Sequence, residues 1–148
     1  MKNTVLVFTA SLFFLYSCSQ DIPNSKVPSV VLNAVQAKYG SANKIEWEKK
    51  NNLYEAEFKK DTIEYAVYID PAGKLVMYKM DIEENELPTA ASLTIRTEYI
   101  GYKIDDAEKI EKGGITYYQV ELEGKGKKDL KLNFSGDGKL VQGMSYLK

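Results

Sequence analysis

Histidine is absent from the 148 residues of this chain, and cysteine occurs once. These absences remove whole classes of chemistry. The usual zinc sets draw on His and Cys, and nucleophile systems of the Ser-His-Asp or Cys-His kind need an imidazole. Neither can be assembled, and no catalytic residue set, metal site or cofactor is expected. One-sided charge is missing as well: 20 Lys and Arg stand against 21 Asp and Glu, a formal net charge of -1. A nucleic-acid surface needs a basic excess to neutralise phosphates, so no nucleic-acid partner is expected. Nor is there an apolar run of comfortable membrane-spanning length; the run from Thr4 to Leu15 has the length of a signal peptide.

What is present begins at that run. Lys2 supplies a short positive region, and Leu15-Tyr16-Ser17-Cys18 closes the segment. The pattern resembles the lipobox of bacterial lipoproteins, with an aliphatic residue three places before the Cys and a small one directly before it. The resemblance implies cleavage before Cys18 and acylation of its thiol and new amine. Lipidation would also consume a lone thiol that a secreted chain otherwise leaves unpaired, and stable anchoring needs more than one acyl chain. Residues 1–17 are then a signal peptide and 18–26 a polar tether.

The remainder repeats itself. Ile69-Asp70-Pro71-Ala72-Gly73-Lys74-Leu75-Val76 aligns with Phe134-Ser135-Gly136-Asp137-Gly138-Lys139-Leu140-Val141. Upstream, Tyr54-Glu55-Ala56-Glu57-Phe58 aligns with Tyr118-Gln119-Val120-Glu121-Leu122, and Val27-Pro28-Ser29 with Leu87-Pro88-Thr89. Residues 27–83 and 87–148 therefore read as two copies of one unit. The comparison decides what the Asp70–Lys74 loop is. No acidic position is held in both copies, whereas Gly followed by Lys is, so the loop reads as a turn rather than a calcium loop.

Each copy opens on a Pro suited to the first turn of a helix. Val31, Val35 and Tyr39, and then Ala91, Ile95 and Tyr99, recur every four residues and make one apolar helical stripe. Gly40 and Gly101 are placed to stop the helices. Period-two patterns follow: "KIEWEKK", "LYEAEFKK", "TIEYAVYI" and "KLVMYKMDI" in the first copy, "AEKIEK", "ITYYQVELEG", "KDLKLNF" and "KLVQGMSYL" in the second. The expected fold is α+β: two tandem repeats, each a helix followed by a four-stranded antiparallel meander, with the helices on one face of a shared sheet. Tyr54, Ala56, Phe58, Tyr65, Val67 and Ile69 should face a helix. Glu55, Glu57, Glu64, Tyr68, Tyr117, Gln119, Glu121, Lys131 and Asn133 should face water. Ile45 and Trp47 share a face, which assigns Trp47 to the core.

The Pro-started helix, the "IEWEKKNNLYEAEF" hairpin, the D-x-x-G-K turn and the tandem arrangement behind a lipoprotein signal together resemble the PepSY-like, beta-lactamase-inhibitor-like secreted proteins of Bacteroides relatives. The resemblance implies two helix-plus-sheet repeats with a concave surface, and a role in binding or restraining another protein.

The expectation is thus a non-enzymatic binding module in the cell envelope, held to the membrane by its N-terminal lipid. It would recognise a protein or peptide through the open sheet face at Tyr68, Tyr117, Tyr78, Glu57, Glu121 and Lys131. Tyr is favoured at recognition surfaces because it brings large area at small entropic cost. Capture of a small lipid or peptide ligand is the alternative. A carboxylate-based hydrolase, drawing on Glu55 with Glu57 or Glu121 with Glu123, is the third reading; those acids alternate with the core and point at water, where a general acid needs burial. The "KGKK" stretch, Lys125–Lys128, reads as a solvated loop.

Overall fold

The computed structural model describes residues 19–40, 42 and 44–143. The signal segment, Cys18 and residues 144–148 lie outside them. The elements in chain order are β1 (Ser19–Asp21), α1 (Ser29–Tyr39), β2 (Glu46–Lys50), β3 (Leu53–Lys60), β4 (Ile63–Ile69), β5 (Leu75–Asp81), α2 (Thr89–Glu98), β6 (Tyr102–Lys112), β7 (Ile115–Gly124) and β8 (Leu130–Ser135). The strands form one eight-stranded antiparallel sheet in sequence order, seven strands of five residues or more with the three-residue β1 at one edge.

Both helices form as their stripes require. Val31, Val35 and Tyr39 are buried on α1, and Ala91 and Ile95 on α2. Gly40 caps α1 at φ +69° and its N–H donates to the Gln36 carbonyl. The α1 stripe packs with Trp47, Tyr54, Ala56, Phe58, Val67 and Ile69 in one buried cluster. Within it, Tyr39 meets the Phe58 ring edge-on at 5.1 Å, and Phe58 stacks on Tyr65 at 5.6 Å. The α2 stripe packs with Ala107, Val120, Leu122 and Phe134 in a second cluster. Cross-strand neighbours share a side of a sheet. Register carries Tyr65 through Met80 and Lys109 to Tyr118 and Phe134, so strand residues of the two clusters lie on the same side.

The repeat is visible bond by bond. Ile22 N–H donates to the Trp47 carbonyl at 2.9 Å, as Ile82 N–H does to that of Ala107. Asp21 pairs with Glu48 as Asp81 pairs with Glu108. The structural period therefore runs strand, 3-10 turn, helix, three strands: β1 to β4, then β5 to β8. Two sequence expectations change accordingly. The stretch 18–26, read as a tether, contains β1 and the 3-10 turn Asn24–Lys26, because Ser19–Asp21 satisfies the outer edge of β2. The fourth strand expected in the second copy is, among the described residues, a single bridge between Phe134 and Leu140 with a Val141 N–H to Asn133 carbonyl bond of 2.7 Å.

The D-x-x-G-K stretch is a turn in both copies. Gly73 N–H donates to the Asp70 carbonyl and Gly138 N–H to that of Ser135, at 2.9 and 2.8 Å. The Asp70 carboxylate accepts from Ala72 and Lys74 N–H, which occupies it locally. Each turn also touches the first turn of its own helix. A Cβ at Gly138, where φ is +81°, would lie 2.9 Å from both Ala90 Cβ and the backbone nitrogen of Ala91. Gly138→Ala therefore combines a disfavoured backbone with a contact that cannot move aside, and should cost about 1–3 kcal/mol. Gly40→Ala, where the added Cβ meets nothing within 4 Å, isolates the backbone part and should fall at the lower end of that range. Urea midpoints of the two variants measure the difference.

Candidate binding face

The sheet side away from the helix clusters is not uniformly wet. A third apolar cluster lies there, with Tyr68, Met77 and Ile110 buried and Leu53, Ala66 and Tyr117 packed around them; no helix residue takes part. Direct cross-strand pairing explains it: Tyr68 stands opposite Met77, and Ile110 opposite Tyr117.

This arrangement corrects two expectations. Tyr68 is on the open side, as read, but only 3% exposed rather than displayed. Its neighbours on β5 and β6 are apolar and close over it. Tyr78 is on the other side. It pairs with Val67, packs against the α1 cluster and carries the Lys38 ammonium 4.6 Å from its ring centre. The cause is a bulge. Ile69 pairs with Leu75 but Tyr68 with Met77, so Val76 is an extra residue in β5 and flips the alternation beyond it. Tyr117, Glu57, Glu121 and Lys131 do lie on the open side, Tyr117 half-buried and Glu57 and Lys131 exposed. Trp47 is in the core as expected.

Around the apolar cluster sits a polar layer held by the same pairing. Glu55 and Gln119, both expected to face water, are instead buried, at 1% and 7% exposure, because apolar and polar neighbours on the adjacent strands cover them; Glu55 stands opposite Tyr68. Its carboxylate accepts the Tyr68 hydroxyl proton, and its Oε2 meets Lys50 Nζ as an ion pair outside ordinary hydrogen-bond geometry. Lys50 also reaches Glu48 at 3.3 Å. Burial, then the Glu55 bond and charge, push the Tyr68 phenol well above its ordinary range. In the second copy the corresponding pair is neutral: Gln119 Nε2 donates to Asn133 Oδ1 at 2.9 Å. Glu55 is thereby committed to structure, and the Glu55–Glu57 pairing weighed for a hydrolase has one member already neutralised. The "KGKK" loop is exposed, with Lys127 Nζ donating to the Ile100 carbonyl at 3.1 Å.

Carboxylates dominate the rest of the face. Glu46 stands opposite Glu57, and Asp106 opposite Glu121. A groove of about 630 Å³ runs beside Ala66, with Glu46 and Glu57 on one flank and Asp81 and Glu108 on the other. Lys79 pairs with Glu108 at 2.9 Å, and Lys131 with Glu121 at 2.5 Å. Glu57 is raised above the usual carboxylate range by burial and then by the Glu55 charge; Asp81 is raised by burial and then by the Asp106, Glu64 and Glu108 charges, and Asp106 by burial and then by the Glu108 and Glu121 charges. A carboxyl raised in the folded state binds its proton more tightly there than when unfolded. Stability therefore rises as pH falls from neutral toward the ordinary values of 4.5 and 3.8, and is lost again as pH climbs. The thermal midpoint should be higher at about pH 5.5 than at about pH 7.5, a window set by the raised groups. Glu57→Gln with Asp106→Asn should flatten that rise in a pH series of melts. No group of His, Cys, Asp and Glu suited to a metal ion occurs among the described residues. No helix among them is long and apolar enough to cross a membrane.

This geometry defines a class, two α+β units fused edge to edge through one antiparallel sheet. The PepSY-like, beta-lactamase-inhibitor-like family model matches the chain twice, over residues 16–77 and 76–142, and the chain belongs to this family. The second match opens within β5, in phase with the structural period. Among solved structures, a DUF2874 family protein from Bacteroides uniformis ATCC 8492 is similar at 20% identity and a TM-score of 0.71, over 78% of this chain and 86% of that one. A protein described as periplasmic from Bacteroides eggerthii DSM 20697 is similar at 19% identity and a TM-score of 0.72, with the same coverage of 78% and 86%. A BLIP-like protein from Bacteroides fragilis NCTC 9343 is similar at 26% identity and a TM-score of 0.65, over 82% and 87% of the two chains. No curated protein matches by sequence.

Proposed function

We propose that this chain is a lipid-anchored, extracytoplasmic, non-enzymatic binding module that recognises a protein or peptide through the open side of its sheet. The observation that carries the reading is the apolar cluster of Tyr68, Met77 and Ile110, with Tyr117 at its margin, on a side that no helix among the described residues covers. Tyr68, Met77 and Ile110 are themselves buried, but the half-buried Leu53, Ala66 and Tyr117 over them give this side an accessible apolar margin rimmed by polar groups, a form suited to an interaction site. The inhibitor-like description of the family and the BLIP-like relative favour protein recognition. The periplasmic description of another relative, with the signal and lipobox pattern ending at Cys18, favours an envelope location.

A photo-crosslinking amino acid placed at Tyr117 or at Leu93, the latter exposed on α2, tests the reading in intact cells. Discrete protein adducts from position 117 and none from position 93 are expected. Adducts from position 93 alone, equal adducts from both, or none from either would overturn it.

A further inference from the structure

The open side carries an arrangement that costs stability and recurs. Asp21 stands opposite Glu48 and Glu46 opposite Glu57 in the first copy; Asp81 stands opposite Glu108 and Asp106 opposite Glu121 in the second. All eight carboxylates occupy corresponding places in the two units. Like charges directly opposite in a sheet are destabilising, and nothing in either core requires them. The fold keeps the same unfavourable pairs twice, on the same side. An unfavourable local choice that persists marks a functional surface.

Local cations cancel only part of the charge, through Lys50 on Glu48, Lys79 on Glu108 and Lys131 on Glu121. Of the groove residues, Glu108 is paired with Lys79 and Glu64 with Lys59, while Glu57 and Asp81 take part in no ion pair with another described residue. Glu57 stands directly across from Ala66 on β3, whereas Asp81 lies diagonal to it on β5, two residues along from the Lys79 that faces Ala66, so the two acids are about 12 Å apart. The groove therefore has an apolar floor continuous with the Tyr68–Met77–Ile110 cluster, because Ala66 packs against that cluster. Its walls carry an acidic excess, Glu46, Glu57, Glu64, Asp81 and Glu108 against Lys44, Lys59 and Lys79, and come from both copies.

We propose that the occupant of this groove is a segment of a partner protein that inserts a basic side chain, Lys or Arg, between Glu57 and Asp81 while its apolar neighbours cover Ala66 and Tyr117. The proposal rests on the binding-face reading above and specifies the partner's chemistry. Charge complementarity selects the cation, and the apolar floor selects a side chain with a long aliphatic stem over a hydrated ion. The raised carboxyls of Glu57 and Asp81 agree, since each would be relieved by an incoming positive charge.

The test uses the purified protein and three fluorescein-labelled decapeptides, one alternating Arg with Leu, one alternating Glu with Leu and one alternating Ser with Leu, read by anisotropy at low and high salt. The Arg peptide should bind at least tenfold tighter than the other two and lose affinity as salt rises. Glu57→Gln with Asp81→Asn should weaken it by tenfold or more. The same variant should melt no lower than the parent, because it removes repulsion, which separates lost binding from lost folding. Asp137→Asn, on the far turn, should change nothing. Equal binding of the three peptides, an unchanged affinity in the Glu57/Asp81 variant, or spermidine competing as well as the Arg peptide would each overturn the inference. Ile110→Ser distinguishes the two readings. If it abolishes the adducts at position 117 while Glu57→Gln with Asp81→Asn leaves them intact, the binding face stands and the basic-segment inference falls.

Discussion

Replacing Phe134 by Ala is expected to lower the unfolding free energy by about 3–5 kcal/mol. Phe134 is fully buried among Leu87, Ala91, Ile95, Val120 and Leu122. Its strand neighbours are pinned by β7–β8 pairing, which limits collapse of the cavity. Against a typical total of about 5–15 kcal/mol, such a loss leaves little. The single Trp makes the measurement informative, because Trp47 lies in the other cluster and reports the first unit alone. Circular dichroism reports both. The two urea transitions should shift together, since β5 and β6 pair over five residues without interruption. A Trp47 transition left at the wild-type midpoint, with only the dichroism displaced, would show that the units unfold independently.

Lys50→Met is expected to cost about 3 kcal/mol, the lower end of what breaking a buried pair costs, because the Lys50 side chain keeps 28% of its exposure. The variant leaves Glu55, 1% exposed, with the Tyr68 hydroxyl and no cation. The informative experiment is a cycle. Removing both charges with Lys50→Met and Glu55→Leu should recover much of the loss, because a buried ion pair is often no better than apolar groups of similar volume. It would still orphan the Tyr68 hydroxyl, worth about 1–3 kcal/mol, so adding Tyr68→Phe should bring stability back to the parent or above it. The second copy supports this logic, having a neutral Gln119–Asn133 bond where the first has Glu55 and Tyr68. Urea titrations of the parent and three variants decide it. A triple variant no more stable than Lys50→Met would mean that the charges themselves hold this face together.

Much of this fold was legible in the residues, for definite reasons. Val31, Val35 and Tyr39 could only be one face of a helix, and the strand alternations put Tyr54, Ala56, Phe58 and Val67 on the covered side without help from the structure. The turn at Asp70–Lys74 followed from comparing the copies. What escaped depends on partners distant in sequence. Ser19–Asp21 is a strand only because the edge of β2, some thirty residues on, accepts it. No local pattern announces the extra residue at Val76, and that one bulge decides whether Tyr78 or Met77 joins Tyr68. The burial of Tyr68 follows from the same slip, since Met77 is its cover. The opposed carboxylates were present in the alternation, but their opposition needed register. Asp105, the second extra residue, sits between Ile104 and Asp106 and sets which acid faces Glu121.

Strand β5 ends one unit in sequence and begins the next in hydrogen bonding, pairing with β4 on one edge and β6 on the other. No linker exists at the junction, and so there is no hinge. The spacing between the two acid-bearing halves is fixed like marks on a ruler, and a ligand touching both would give up none of its binding energy to bringing them together.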